Sequence, residues 1–179
     1  MTPQRVVVAL PAALLLLLLL LCGGGADAFL PAFKPGSPVS RFCRTASSKR
    51  LCTRMVGGAA SLHDATANSI QATLELAEKL RAMSGAVISA AAAGLPADSK
   101  ESIVKTCDES FEDAVDDLRL SLEALKAKDN GTLMTRLSAA LQSDCGDALD
   151  DFGVGYPLKT TIKLYARYLD NTLAVVTQQ

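Results

Sequence analysis

A run of apolar residues at three- and four-residue steps constrains the fold more than any other feature of this chain. The run forms one stripe of a helix, made of Ile103, Cys107, Phe111, Ala114, Val115, Leu118, Leu122 and Leu125. Asp98 and Ser99 stand before it as capping residues, and Lys126-Ala127-Lys128 with Asp129-Asn130-Gly131 marks its end. A helix with one apolar face has to bury that face, so the pattern requires partner helices.

Three further segments show the same periodicity. One runs from Ser61 to Ala93, one from Thr132 to Phe152, and one from Leu158 to the C-terminus. The segment from Ser61 ends at the helix-breaking stretch Gly94-Leu95-Pro96, and a second such stretch, residues 153–157, separates the last two segments. Aromatic residues make up only 4% of the chain, and the abundant Ala and Leu favour helices over strands. Four apolar seams joined by short loops predict an all-α, up-down-up-down four-helix bundle.

The first 28 residues have the pattern of a cleaved secretory signal peptide. Arg5 precedes a long apolar run, and Ala26-Asp27-Ala28 is an A-x-A cleavage signal. We therefore expect cleavage after Ala28. Prolines at 31, 35 and 38 then predict an extended arm over residues 29–40.

Removal of this leader takes away Cys22 and leaves four cysteines, Cys43, Cys52, Cys107 and Cys145. An even number in a secreted chain indicates two disulfides. Cys107 and Cys145 lie on the apolar seams of the second and third helices, and an antiparallel arrangement allows a bridge between them. Two unpaired core cysteines are the alternative.

Charge is unevenly distributed along the chain. Residues 29–56 contain no acid and six basic side chains, Lys34, Arg41, Arg44, Lys49, Arg50 and Arg54. Residues 57–179 contain 11 basic and 18 acidic side chains, a balance of −7. An acidic body repels nucleic acid and polyuronate chains, and it attracts a basic partner within a Debye length of about 8 Å. We expect no nucleic-acid partner.

No residue pattern indicates catalysis, a metal or a cofactor. His63 is the one histidine in the sequence, so no second imidazole can share a metal with it, and we expect a surface or capping role. The cysteines lack C-x-x-C spacing, and no glycine-rich phosphate loop follows a strand. We predict that the chain is not an enzyme.

Two surface features remain. Glu109, Asp113 and Asp116 share an outward stripe of the second helix, and they form either a solvated face or a protein-binding surface. Asn130-Gly131-Thr132 is a glycosylation sequon in an expected turn, which makes Asn130 a candidate glycan site.

The second and third helices resemble the plant invertase and pectin methylesterase inhibitor family. CDESFEDAVDDL at 107–118 resembles the family pattern Cys-x-x-x-(Tyr/Phe)-x-Asp-Ala-x-Asp-x-Leu. LSAAL at 137–141, followed by Cys145, is similar to its Ser-Ala-Ala-(Leu/Met) helix, although the stretch before the cysteine is shorter than usual. DNTLAVV at 170–176 is similar to its closing pattern. The resemblance implies disulfides Cys43 to Cys52, within an N-terminal helical hairpin, and Cys107 to Cys145.

The resemblance also implies a function. It implies a non-catalytic, secreted inhibitor of the apoplast or cell wall, with a hairpin at 41–58 and a bundle at 59–179. Such an inhibitor binds pectin methylesterase or acid invertase in a one-to-one complex and covers the active-site cleft. The Pro-Lys-Phe tripeptide of invertase inhibitors is absent, the nearest string being Pro157-Leu158-Lys159, which favours pectin methylesterase.

Two other interpretations stay open. Ala-Asp-Ala-Phe-Leu-Pro at 26–31 resembles the signal-to-transit junction of proteins of complex plastids, and residues 29–56 are basic, hydroxyl-bearing and free of acids, as transit peptides are. In a plastid protein Cys43 and Cys52 would be discarded. The other interpretation is a secreted helical structural or interaction protein without inhibitory activity.

Overall fold

A computed structural model of the protein describes residues 38–141, 144–155 and 159–178. The helical unit begins at Pro38. The predicted signal peptide, the first part of the Pro-rich arm, Pro157 and Leu158 lie outside the described residues. A 3-10 turn at Arg41–Cys43 comes first, followed by helices α1 (Lys49–Val56), α2 (Leu62–Ala91), α3 (Ala97–Ala127), α4 (Asn130–Ala139), α5 (Asp144–Asp151) and α6 (Lys159–Val176).

Helices α2 to α6 form the bundle. Helix α2 contacts α3 and α6, α3 contacts α4 and α5, and α4 contacts α6. The third position of the four-helix bundle is therefore shared by α4 and α5. The apolar seams face inward, and the fully buried large side chains of the bundle include Ile70, Leu80, Ile103, Leu118, Leu133, Leu137, Leu149 and Leu169. The predicted all-α bundle is confirmed.

Polar contacts fix how α6 lies against α2. The hydroxyls of Thr73 and Thr172 are both fully buried and lie 2.9 Å apart. The carbonyl of Ser69 accepts a hydrogen bond from each of these hydroxyls, at 2.8 and 3.1 Å. Because a buried hydroxyl without a partner is costly, this network selects one register between the two helices.

The predicted continuous third helix is wrong, because the structure has two helices, α4 and α5, in its place. In one continuous helix the Asp144 N–H would bond to the carbonyl of Ala140. Instead it donates to Ser110 Oγ on α3 at 3.0 Å, and the buried Tyr165 hydroxyl donates to the Ala140 carbonyl at 2.8 Å. Side chains from two other helices therefore satisfy the backbone groups at the break.

Several smaller expectations also fail. Asp98 and Ser99 lie inside the first turn of α3 rather than capping it, because the helix begins at Ala97 with Pro96 as its N-cap. Leu141 and Phe152 are apolar residues of the segment 132–152, whose periodicity predicts a buried seam, but they are 49% and 44% exposed. Both follow a helix end, where the chain leaves the helical register.

The hairpin predicted at 41–58 consists of the 3-10 turn and α1, and a disulfide between Cys43 and Cys52 joins them. Both cysteines are fully buried, in a small core that also holds Phe42, Val56 and Val175. Helix α1 packs against α2 and α6. Within the described part of the chain, no helix combines the length and apolar character needed to cross a membrane.

Candidate functional site

A groove of about 480 Å³ opens between α3 and the pair α4 and α5. Five carboxylate side chains and one guanidinium line it, together with small polar and apolar groups. The lining residues are Thr106, Glu109, Ser110, Asp113, Asp116, Asp117, Leu120, Arg136, Ala139 and Asp144. The groove carries a strong excess of negative charge, with the exposed face of Leu120 as an apolar contact.

The structure brings the three acids of the sequence prediction together on one wall of this groove. Glu109, Asp113 and Asp116 are all exposed, and they follow one another at helical steps along α3. The buried seam of α3, with Phe111, Ala114 and Val115, fixes the direction of this wall. The stripe therefore forms part of a concave surface and not only of a convex, solvated helix face.

Ion pairs around the groove are exposed and exchangeable. Glu109 pairs with Lys105 at 3.7 Å, and Asp116 pairs with Arg119 at 3.4 Å. Arg119 also reaches Glu78 on α2 at 2.8 Å. Asp113 forms no ion pair with any residue that the structure describes. Exposed pairs of this kind contribute about 0–1 kcal/mol each, so cations of a partner can replace them at little cost.

Arg136 is the one cation among the residues described as lining the groove, and it comes from the opposite wall. Its Nη1 lies 3.0 Å from Oδ1 of Asp117, whose side chain is only 15% exposed. This pair holds α4 against α3 and leaves the outer acids, Glu109 and Asp113, without a cation from α4.

The frame around the groove is rigid. A disulfide joins Cys107 on α3 to Cys145 on α5, and both cysteines are fully buried. The hydrogen bond from the Asp144 N–H to Ser110 Oγ lies next to it. These two links fix the start of α5 at the groove's edge, which places the Asp144 carboxylate among the lining residues.

Asn130 is exposed and is the first residue of α4, rather than part of a free turn. Asp129 is the N-cap of this helix and accepts the Thr132 hydroxyl at 2.6 Å and the Thr132 N–H at 3.0 Å. These two hydrogen bonds lower the pKa of Asp129. The hydroxyl of the sequon is therefore engaged in capping the helix.

His63 is exposed in the first turn of α2, between the Ser61 and Asp64 side chains that form the capping box of this helix. Of the two roles expected for His63, the structure shows the surface position, and the capping role belongs to Ser61 and Asp64. Within the described residues, no group of three or more His, Cys, Asp or Glu side chains is arranged to hold a metal ion.

Sequence reasoning missed the second wall of the groove. Arg136 on α4 and Asp144 on α5 belong to the site because these two helices pack beside α3, where Arg136 meets Asp117. The signal in the sequence was limited to the acidic run 108–117 and a seam on each helix. The pairing of Arg136 with Asp117 depends on the tertiary register, which those patterns do not specify.

The sequence profile of the family described as "Plant invertase/pectin methylesterase inhibitor" matches residues 37–175. The match includes the hairpin, helices α2 to α5, almost all of α6 and all four cysteines of the two disulfides. The chain belongs to this inhibitor family. No curated protein sequence matches the chain.

Among solved structures, the protein is similar to the crystal structure of a pectin methylesterase inhibitor from Arabidopsis thaliana. The TM-score is 0.52 and the sequence identity 18%, with 80% of this chain and 97% of that chain covered. At this identity the likeness shows the fold.

Membership of the inhibitor family establishes the general class of the protein. Its members are inhibitors rather than enzymes, and they act on enzymes such as pectin methylesterase and invertase. The protein is therefore an inhibitor-type protein without catalytic activity of its own. Both disulfides found in the structure are the pairs that the family resemblance implies.

Proposed function

We propose that this protein binds pectin methylesterase in a one-to-one complex and covers the active-site cleft of that enzyme. The observation that carries the proposal is the profile match over residues 37–175. This match covers the helical unit almost to its end and is not limited to one short signature motif. Acid invertase is the second candidate target, since the family name includes both enzymes.

The acidic groove is the surface that we assign to the partner. Glu109, Asp113 and Asp116 present carboxylates on a concave wall, with only Arg136 as a cation among the described lining residues. A basic region of the target enzyme would be attracted to this charge and oriented by it. The apolar face of Leu120 adds surface that loses water on contact.

Rigidity supports an inhibitory role. An inhibitor that keeps its shape loses little conformational entropy when it docks. Both walls of the groove are fixed before binding, by the disulfide between Cys107 and Cys145 and by the pair of Arg136 with Asp117. The buried Thr73 and Thr172 hydroxyls hold the other side of the bundle.

We further propose that residues 1–28 are removed and that the mature protein, with the hairpin at 41–58 and the bundle at 59–179, acts in the apoplast or cell wall. The A-x-A signal and two buried disulfides support this, because disulfides persist in oxidising compartments. Asn130 is the proposed glycan site, supported by its exposure at the start of α4. Mass spectrometry of the mature N-terminus distinguishes a start near Phe29, for secretion, from one near Met55, for a plastid.

The function is tested by titrating the purified protein into pectin methylesterase and, separately, into acid invertase. We expect loss of pectin methylesterase activity that is complete near one equivalent, with invertase activity unchanged. Inhibition of invertase alone would move the assignment to the second target. No inhibition of either enzyme between acidic and neutral pH would overturn the proposal.

A further inference from the structure

The hairpin presents a surface with charge opposite to that of the groove. Between residues 38 and 63 the chain has no acid and five basic side chains, Arg41, Arg44, Lys49, Arg50 and Arg54, called here the hairpin cations. Four of them are exposed and Arg54 is half-buried. Helix α1 packs on α2 and α6, whereas α3, α4 and α5 line the groove, so different helices carry the two surfaces.

The hairpin cations have no acidic partners among the described residues, in contrast to three arginines of the bundle. In the bundle, Arg81, Arg119 and Arg136 all form ion pairs of 2.7 to 3.0 Å with carboxylates. No hairpin cation forms an ion pair with any acid in the described ranges. The Arg41 guanidinium instead donates to the Ala60 carbonyl at 2.7 Å and lies over the Phe42 ring. Its charge is therefore not cancelled by a carboxylate.

Three of these cations surround a shallow depression at the start of α1. It has a volume of about 490 Å³ and is lined by Ser47, Ser48, Lys49, Arg50, Leu51 and Arg54. Ser48, the N-cap, makes no side-chain cap hydrogen bond. The first-turn N–H groups thus lack a side-chain acceptor from the cap. The nearby cations and the Ser48 hydroxyl can bond an oxygen-rich ligand, whereas the Ser47 hydroxyl already donates to the Asp170 carboxylate.

This surface is held in place before any ligand binds. The disulfide between Cys43 and Cys52 closes the hairpin. Gln178 Nε2 donates to the Phe42 carbonyl at 2.8 Å, and the Thr45 hydroxyl donates to the Ala174 carbonyl at 3.2 Å, so the C-terminal end of α6 anchors it. A fixed set of cations loses little entropy on binding a polymer.

We propose that the hairpin cations, centred on Lys49, Arg50 and Arg54, are a docking surface for a carboxylate polysaccharide of the de-esterified polyuronate type. The choice of polymer rests on the proposed function: hydrolysis of the methyl esters of pectin leaves carboxylates on a uronate chain, so this polyanion accumulates where the target enzyme works. The surface would hold the inhibitor on the product polymer while the groove stays free for the enzyme.

The acidic bundle behind the hairpin favours a polymer of lower charge density than nucleic acid. Arg50 and Arg54 are one helical turn apart, about 6 Å along α1, so the two cations lie on the same face of this helix. Double-stranded DNA carries a charge every 1.7 Å or so along its axis, and its field would act strongly on the acidic bundle behind the hairpin. The acidic body repels polyuronate as well, so contact is confined to the hairpin.

The test measures binding to immobilised polygalacturonate in the absence of any enzyme, with fully methyl-esterified pectin and DNA as comparison polymers. The variant changes Lys49, Arg50 and Arg54 to Gln. A matched control changes Lys100, Lys126 and Lys163 of the bundle to Gln, with the same loss of charge. We expect salt-sensitive binding to polygalacturonate that weakens about tenfold in the hairpin variant and is retained in the control.

Equal binding to the methyl-esterified polymer, equal or tighter binding to DNA, or equal weakening in both variants would overturn the docking proposal. Circular dichroism of both variants shows whether the bundle is intact. If the hairpin variant does not fold, free galacturonate oligomers are used to displace the wild-type protein from the immobilised polymer. Failure of the oligomers to displace it would overturn the proposal. Because no enzyme is present, this result is independent of whether pectin methylesterase is inhibited.

Discussion

Asn171 on α6 accepts the backbone N–H of Ser48 through its Oδ1 at 3.2 Å, across the junction between the bundle and the start of α1. The Asn171 side chain is fully buried, and its amide also approaches the sulfur of Met55. Ser47 adds a contact to the neighbouring Asp170 carboxylate. This buried amide is therefore one of the contacts that position the hairpin on the bundle.

The first prediction follows from this contact. Asn171→Ala removes the acceptor of the Ser48 N–H and leaves a gap beneath α1, so we expect a loss of about 1–3 kcal/mol in the free energy of unfolding. Urea denaturation measures this loss, and limited proteolysis should show earlier cleavage in the hairpin. Gln71→Ala, at an exposed amide, is the control and should change stability by less than about 0.5 kcal/mol. Equal effects of the two substitutions would contradict the anchoring role.

The two disulfides should contribute unequally to stability. Cys107 and Cys145 are 38 residues apart, and Cys43 and Cys52 are 9 apart. In the chain-entropy model the longer loop contributes about 4 kcal/mol and the shorter about 2.5 kcal/mol. We expect the Cys107→Ala/Cys145→Ala variant to be the less stable of the two double alanine variants, as measured by urea denaturation. The reverse order would show that loop entropy does not dominate here.

Tyr165 should make stability sensitive to alkaline pH. Burial first, and then the nearby charge of Asp117, raise the pKa of its hydroxyl above the ordinary value of 10.0. Because the folded state favours the protonated form, this contribution is complete below pH 10 or so and declines as the pH rises further. Tyr165→Phe removes both this pH dependence and the hydrogen bond to the Ala140 carbonyl.

We expect Tyr165→Phe to lower stability by about 1–2 kcal/mol at neutral pH. Its unfolding free energy should also fall less steeply than that of the wild type between pH 9 and pH 11 or so. Thermal unfolding at a series of pH values measures both effects. Parallel pH curves for the two proteins would contradict the assignment to Tyr165.

Gly85 and Gly57 should respond to alanine in opposite directions. Gly85 lies inside α2, and a Cβ there would meet the Asp108 carboxylate at 3.5 Å, an ordinary contact. Gly85→Ala should therefore raise stability by roughly 0.5–1 kcal/mol through helix propensity. Gly57 ends α1 with φ of 56°, so Gly57→Ala should lower stability by about 1 kcal/mol. Thermal unfolding of both variants measures these changes. A destabilised Gly85→Ala protein would mean that the Asp108 side chain cannot move to accommodate the new methyl group.

Much of the fold could be predicted from the sequence, because each helix buries one continuous stripe. The stripe of Ile70, Leu74, Ala77 and Leu80 needs only its own periodicity to specify a buried face. The break between α4 and α5 could not be predicted, because periodicity carries on through Ala140 and Cys145. The break depends on Ser110 and Tyr165, two side chains from other helices that bond its backbone groups.

The candidate site was predictable in part for the same reason. One helix places Glu109, Asp113 and Asp116 on a common stripe, which spacing alone shows. The concave shape depends on how α4 and α5 pack beside α3, and it adds Asp117 and Asp144 to the acids. The basic charge of the hairpin was visible in the sequence, but its lack of acidic partners among the described residues required the structure.

The most direct measurement of the central claim is the inhibition constant for pectin methylesterase with the groove neutralised. The variant carries Glu109→Gln, Asp113→Asn and Asp116→Asn. Its control carries Glu101→Gln, Glu123→Gln and Asp150→Asn, three exposed acids outside the lining of the groove, with the same change in net charge. We expect inhibition by the groove variant to weaken tenfold or more, because each lost charge contact contributes about 0.5–1 kcal/mol. The inhibition constant of the control should stay within about threefold of the wild-type value. Undiminished inhibition by a folded groove variant would contradict the claim that this surface binds the enzyme.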